Sequence, residues 1–253
     1  MSKLNVITYT THNTGMYDKL INNNFNIDIV TLGYGTKWVS FKHRNEKIIE
    51  YLQKEEFKDD DIFIIVDGFD TIINKPLDGI IDLFKSYDKK VLFAENIKND
   101  NFGLDKKVFS LCKNNVIANM GLFMGYKKYL LILLKELIKY RCKDDQHILN
   151  KYLCDKFDFV GLDHNKKIFY NSKNFDKNIK YDAIFLGFPG LVTFERITRG
   201  TQEYLQFFLT EILVIFLIGF FYLQHKKLYH LLKYYFAFFI ALFFYIDKSC
   251  INF

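Results

Sequence analysis

The sequence predicts an α/β domain on a mainly parallel sheet, followed by a C-terminal hydrophobic helical hairpin. Short β-branched runs alternate with stretches of helical periodicity over residues 1–200, the pattern of strand–helix–strand units. One run, Ile62-Phe63-Ile64-Ile65-Val66, is continuously apolar and bounded by acids, as a strand buried on both faces requires. From Tyr204 to Ile246 the chain becomes far more apolar than anything before it. The expected division is therefore a domain over 1–200 and a membrane-associated hairpin over 201–253.

Leu4 to Tyr9 (LNVITY) is the first expected strand, and the polar loop Thr10-Thr11-His12-Asn13-Thr14 follows its carboxyl end. Ile27 to Leu32 is the second, closed by Gly33-Tyr34-Gly35, with Trp38, the only tryptophan, in the next loop. Lys42 to Glu56 places Ile48, Ile49 and Leu52 on one helical face. The acidic strand then delivers Asp67 and Asp70, separated by Gly68 and Phe69, and a helix follows over Leu77 to Tyr87. Val91 to Phe93 is another buried strand, ending in Ala94 and Glu95. Asn99 to Leu104 is a polar loop, and Asp105 suits the cap of a short helix reaching Cys112. Asn119 to Tyr126 is a strand interrupted by glycines, where backbone approaches something closely. Lys127 to Tyr140 is an apolar helix, and Lys143-Asp144-Asp145-Gln146 opens the next. Asp163-His164, Ile168 to Tyr170 and Ala183 to Leu186 are short closing elements.

Composition narrows the function classes. With 253 residues and 50% apolar content, the chain buries one substantial core. The formal charge of +6 is mild and the lysines are scattered, so no nucleic-acid footprint is expected. Cys112, Cys142, Cys154 and Cys250 show no CxxC pairing and no disulfide density, which fits a reducing compartment. Met1 to Tyr9 carries no charged-then-apolar leader. The expected localisation is thus a membrane, with the first domain facing the cytoplasm. Leu205 to Leu223 approaches the ~20 residues that span a bilayer, and Leu228 to Ile246 is a second such run. Glu211 costs about 3 kcal/mol at mid-membrane and is expected to face the partner helix.

Asp67 and Asp70 sit where ligands bind in open α/β sheets, beyond the carboxyl ends of strands. Two close carboxylates raise each other's pKa unless a cation neutralises them. A hard divalent ion that also holds a phosphate is the natural occupant. A dehalogenase-type phosphatase spaces its acids as Asp-x-Asp, one residue closer than here. Asp144-Asp145-Gln146 has two readings, stabilisation of a helix N-terminus through its dipole and a hold on an acceptor hydroxyl or amine.

These pieces in this order resemble the glycosyltransferase domain of the procollagen lysyl hydroxylase family, which also occurs in large DNA viruses. Val6-Ile7-Thr8-Tyr9-Thr10-Thr11 is similar to its first strand and nucleotide loop, and Leu32-Gly33-Tyr34-Gly35-Thr36-Lys37-Trp38 to its Leu-Gly-x-Gly-x-x-Trp segment. Ile65-Val66-Asp67-Gly68-Phe69-Asp70-Thr71 resembles its metal-binding Asp-x-x-Asp motif, with Phe69 in place of the tyrosine that stacks on uracil. Val91 to Glu95, Asn119 to Tyr126, Asp144-Asp145-Gln146 and Leu162-Asp163-His164 with Ile168-Phe169 resemble further motifs. The resemblance implies a GT-A, Rossmann-like fold and transfer of galactose or glucose from a UDP-sugar, with Mn²⁺ as the divalent ion. It implies Asp67 and Asp70 as metal ligands, and Thr8, Thr10, Trp38 and Phe69 around the uridine. Asn119 and Gly121 would line the sugar, with Asp144 and Asp145 as catalytic acids on the acceptor side. The acceptor implied is a protein, such as collagen-like hydroxylysine, or a glycan. Leu186 stands where the family's His-Gly-Asn-Gly segment has its third metal ligand, and this motivates the alternative of a degenerate nucleotide-sugar-binding or membrane scaffold protein.

Overall fold

A computed structural model describes residues 2–97, 104–172, 180–189 and 201–250. The chain forms two compact units, 1–191 and 192–253. The first is built on a six-stranded sheet in the order β2-β1-β3-β6-β5-β7. Its strands are β1 (Leu4–Tyr9), β2 (Ile29–Leu32), β3 (Ile62–Asp67), β5 (Val91–Glu95), β6 (Ala118–Tyr126) and β7 (Val160–Leu162). All run parallel except β6, which is antiparallel to both β3 and β5.

Alternation along the strands assigns the two faces. Ile62, Ile64 and Val66 of β3, Leu92 and Ala94 of β5, and Leu122 and Met124 of β6 enter one core. That core also takes Ile80 and Phe84 of α3 (Ile80–Ser86), with Ile73, Phe169 and Phe185. The latter three come from a second sheet, β4-β9-β8, made of β4 (Thr71–Ile73), β9 (Phe185–Gly187) and β8 (Phe169–Asn171). The opposite face carries Phe63, Ile65, Phe93 and Phe123, all buried. On that side lie α2 (Phe41–Leu52) and α5 (Lys127–Leu137), which pack on each other. Ser40 Oγ accepts the His43 N–H at 3.1 Å and so fixes where α2 begins.

Three departures from expectation have physical causes. β4 was not foreseen, because three residues after a turn carry no periodicity of their own. α4 (Leu104–Phe109) ends earlier than expected and contains Asp105 rather than being capped by it; most of the loop expected before it lies outside the described residues. The cysteines also correct the sequence reading, because Cys112 and Cys154 form a disulfide with a Cα–Cα distance of 5.4 Å. Its 42-residue separation gives no local spacing for a sequence to show.

His147, in α6 (Asp145–Ile148), is buried and its Nδ1 bonds the Val108 carbonyl. Burial pushes this imidazole below its ordinary 6.5; the Val108 bond opposes the shift and Lys151 adds to it. The unfolded chain therefore takes up a proton that folded His147 resists. Stability is full above the unfolded value and falls as the pH drops below it. Urea midpoints at about pH 7.5 and about pH 5.5 read this loss, and His147→Gln flattens it.

In the second unit, α7 (Leu209–His225) and α8 (Tyr229–Tyr245) form the expected hairpin. The helical run Thr201–His225 is long and apolar enough to cross a membrane, and α8 is a shorter apolar helix. The Tyr235 hydroxyl donates to the Phe216 carbonyl at 2.7 Å, across the two helices. Gly219 admits that ring, since a Cβ there would lie 2.2 Å from the hydroxyl; close approach at a small residue is how apolar helices associate. Glu211 lies exposed in the first turn of α7.

Candidate active site

The site forms at the carboxyl ends of β1 and β3. From β1 the chain crosses to β2 on one side, while β3 lies on the other. Such a switch of direction opens a crevice that binds ligands. Two loops face each other there. The loop after β1 is tied to the turn after β3 by the Met16 N–H, which donates to the Phe69 carbonyl at 2.8 Å. Gly15, at φ +65°, makes this possible, because a Cβ would lie 2.1 Å from that carbonyl oxygen.

Asp67 is half-buried at the end of β3, and its Oδ1 accepts the Phe69 N–H at 2.9 Å. This turn, closed by the aspartate itself, holds the carboxylate in one orientation. Asp70 is buried, and its carbonyl accepts the Phe188 N–H at 2.7 Å, which ties the turn to the end of β9. Gly68 sits under the turn, and a Cβ there would lie 2.9 Å from both Thr10 Cβ and Thr8 Oγ1. Gly68→Ala is therefore expected to lift the turn off β1 at a cost of about 1–3 kcal/mol, read as a lower urea midpoint.

The residues expected around a nucleotide separate into two groups. Trp38 is partly exposed and meets Tyr9 and Phe41 edge-on, at 5.9 and 5.2 Å between ring centroids. Phe69 is partly exposed and lies against His12 at 5.3 Å. These rings, with the Tyr17–Tyr34 stack at 5.5 Å, form an aromatic margin beside Asp67 and Asp70. Thr8 and Thr10 lie beneath it. Both are buried, with Thr8 donating to the Val66 carbonyl and Thr10 to the His12 carbonyl. Their hydroxyls brace the loops.

The other side of the crevice is β6. Asn119 Oδ1 accepts the Gly121 N–H at 2.8 Å, and a Cβ on Gly121 would lie 3.6 Å from Asp67 Cβ. Asn119, Gly121 and Asp67 are thus brought together. The ladder between β5 and β6 is irregular between Phe93 and Ala94, so part of β6 needs other partners. Gln146 of the Asp-Asp-Gln segment and Asn150, one helical turn on, supply them. Gln146 Oε1 accepts the Met120 N–H, and Asn150 both accepts from the Ala118 N–H and donates to its carbonyl. Asp144 caps α6 through the His147 N–H at 2.8 Å. Asp145 is buried and takes bonds from Arg44 at 2.7 Å and Asn45 at 2.9 Å, both on α2.

Leu186, at the position of the expected third ligand, is fully buried in β9. It packs with Tyr181, Ala183, Phe188, Ile72 and Tyr170. Among the described residues no group of three His, Cys, Asp or Glu side chains is placed to hold a metal ion. Two oxygen donors held at one turn suit a hard divalent ion that keeps water and phosphate as its remaining ligands. Asp67 and Asp70 fit such a group as a pair.

Sequence reading missed Arg44, Asn45 and Asn150, which hold the acidic segment and β6 from a distance along the chain, and the contact between Glu95 and His164.

A family model described as the PLOD GT domain matches residues 1–184. The chain belongs to the PLOD glycosyltransferase family. A procollagen-lysine,2-oxoglutarate 5-dioxygenase of Drosophila melanogaster is 26% identical to it over 203 residues. That alignment covers 70% of this chain and 27% of the fly protein, so the chain spans about a quarter of its relative's length. The crystal structure of a glycosyltransferase involved in glycosylation of the major capsid of PBCV-1 matches with a TM-score of 0.52 at 13% identity. The match covers 77% of this chain and 96% of that one and shows that the glycosyltransferase fold is shared. The mainly parallel sheet is the α/β core expected from the sequence, and the reversal of β6 is an addition to it.

Proposed function

We propose that this glycosyltransferase transfers a hexose, galactose or glucose, from a UDP-sugar to a hydroxyl of a protein or glycan, with Mn²⁺ as the divalent ion. The observation that carries this reading is the Asp67–Asp70 turn at the switch of the sheet, flanked by Trp38, His12 and Phe69. Asp67 and Asp70 would hold the ion, whose chemistry there is to neutralise the diphosphate as it leaves. Trp38 and Phe69 offer faces on which a base stacks. Gly121 leaves the floor beside Asp67 bare, and Asn119 borders it as a polar wall for the sugar. Asp144 and Asp145, expected as catalytic acids, would act here by capping α6 and tying it to α2, so that the acceptor side keeps its shape.

Leu186 supports a second reading, a protein that binds the nucleotide sugar without turning it over. Full-length protein in detergent, mixed with UDP-galactose or UDP-glucose, decides between them. Metal-dependent UDP release supports the transferase. Binding of UDP with no release from either donor supports the degenerate reading.

The same proposal keeps the chain at a membrane through 205–223 and 228–246. The sequence expectation puts the first domain on the cytoplasmic side, whereas the Cys112–Cys154 disulfide favours an oxidising one. Protease protection of the first domain in sealed vesicles decides the side.

A further inference from the structure

We infer that the Cys112–Cys154 disulfide is a redox latch on the sugar and acceptor side of the site. Oxidised, the protein turns over; reduced, it binds the nucleotide as before and turns over slowly. The inference rests on the transferase reading above. It starts from what the bond encloses. Its 42-residue separation takes in β6, α5 and α6, and with them Asn119, Gly121, Asp144 and Asp145. Thr8, Thr10, Trp38, Asp67, Phe69 and Asp70 all lie outside it. One covalent tie thus bounds the residues of one side of the crevice and none from the loops after β1 and β3.

The start of β6 is held by side chains where its neighbours do not hold it. Leu122 to Tyr126 pair with β3, and Phe123 to Gly125 with Val91 to Phe93 of β5. Met120 and Gly121 pair with neither strand, and the ladder to β5 resumes only at Asn119 and Ala118. The Met120 carbonyl takes Arg44 from α2. The Met120 N–H goes to Gln146 Oε1 at 3.3 Å, and the Ala118 N–H to Asn150 Oδ1 at 2.7 Å. The backbone leading to Gly121, beside Asp67, therefore depends on Gln146 and Asn150 keeping their places.

Those two residues stand on a slight support. α6 is four residues long, and Leu149–Leu153 continues it as a π-helical turn, a rare form found mostly as single turns at functional sites. Helices this short do not hold themselves. Arg44 and Asn45 secure the first residue, Asp145. At the far end the Cys154 N–H closes the turn on the Leu149 carbonyl at 2.8 Å, and the Cys154 sulfur is fixed to Cys112. Cys112 opens a tight turn of its own, with its N–H on the Val116 carbonyl at 2.8 Å, and Ala118 follows two residues later. The bond joins both ends of the bracket around the start of β6.

Cys154 is fully buried and Cys112 is 4% exposed, in a turn whose Asn115 is exposed. Reduction therefore begins at Cys112, when that turn opens. A thiolate of an external dithiol bonds to the Cys112 sulfur as the S–S bond breaks, and Cys154 leaves as a thiolate that takes up a proton. The second thiol of the reductant then displaces Cys112, which is protonated in turn. Two electrons pass to the chain, and the dithiol becomes a disulfide. An oxidising compartment keeps the latch closed and a reducing one opens it.

The test compares the wild type with Cys112→Ser/Cys154→Ser, both as full chains in detergent at saturating Mn²⁺. Steady-state UDP release from UDP-galactose or UDP-glucose reads turnover, and calorimetric titration of UDP reads binding. The double variant is expected to lower kcat by about tenfold or more, the scale of a misplaced site wall, with UDP affinity within about twofold of the wild type. Cys112→Ala with Cys154→Ala, which adds no hydroxyl to the interior, behaves the same. Dithiothreitol lowers the wild-type kcat by the same factor, and reoxidation restores it. Unchanged kcat in the alanine variant overturns the latch, and so does a wild-type kcat that ignores the dithiol. Loss of UDP binding in parallel with kcat overturns it too, because the bond then holds the whole domain. All three outcomes leave the transferase reading intact. No release by the wild type from either donor overturns both.

Discussion

Arg44→Ala is expected to lower the unfolding free energy by about 3–5 kcal/mol, the cost of leaving one member of a buried ion pair without its partner. Arg44 and Asp145 meet at 2.7 Å with side chains only 8% and 5% exposed. Arg44 also donates to the Met120 carbonyl at 3.2 Å, so the substitution disturbs β6 beside Asn119 and Gly121. Urea denaturation followed by fluorescence reads the loss. Replacing both partners by apolar residues, Arg44→Met with Asp145→Leu, should recover most of it, because no charge is then left buried. This pair also separates the roles of Asp145. If Asp145→Asn abolishes turnover at unchanged stability, Asp145 acts in chemistry. If stability and turnover fall together, it holds the wall of the site, as its bonds to Arg44 and Asn45 indicate.

Asp67→Ala carries the largest expected effect on activity, a fall in metal-dependent UDP release of about 10²–10³-fold. The fold should survive it, since Asp67 is half-buried and its Oδ1 accepts a backbone N–H within its own turn. Asp70 is buried and its main chain joins β9, so Asp70→Ala is expected to cost stability as well. Equal thermal midpoints for wild type and Asp67→Ala, alongside the activity difference, would separate a ligand from a brace.

Much of this arrangement was legible in the sequence because its signals are local. The run Ile62 to Val66 could be only a buried strand, and the acids after it could only follow its carboxyl end. β1, β5 and the helix α5 announced themselves in the same way. The glycines of β6 marked close approach, and Gly121 indeed lies against Asp67. What the sequence did not show depends on contacts between distant residues. Arg44 and Asp145 are 101 positions apart and Glu95 and His164 are 69. No periodicity links such pairs. The strands of the second sheet are three residues each, too short to declare an alternation. Thr8, in β1, donates to the Val66 carbonyl across to β3, and Thr10, in the loop after β1, donates to the His12 carbonyl, contacts that no local spacing announces. Leu186 was visible as a departure, and its burial among Tyr181, Phe188 and Tyr170 shows that the position has become part of an apolar cluster.

The central claim is that Asp67 and Asp70 present a divalent ion to a nucleoside diphosphate without a third protein ligand at position 186. Calorimetric titration of UDP into the full chain in detergent, with and without Mn²⁺, tests it most directly. Mn²⁺ should tighten UDP binding by about tenfold or more in the wild type, a coupling of ~1.4 kcal/mol or more. Asp67→Asn should retain metal-free UDP binding and lose the coupling. UDP affinity that is the same with and without Mn²⁺ in the wild type, or a coupling that survives Asp67→Asn, would contradict the account.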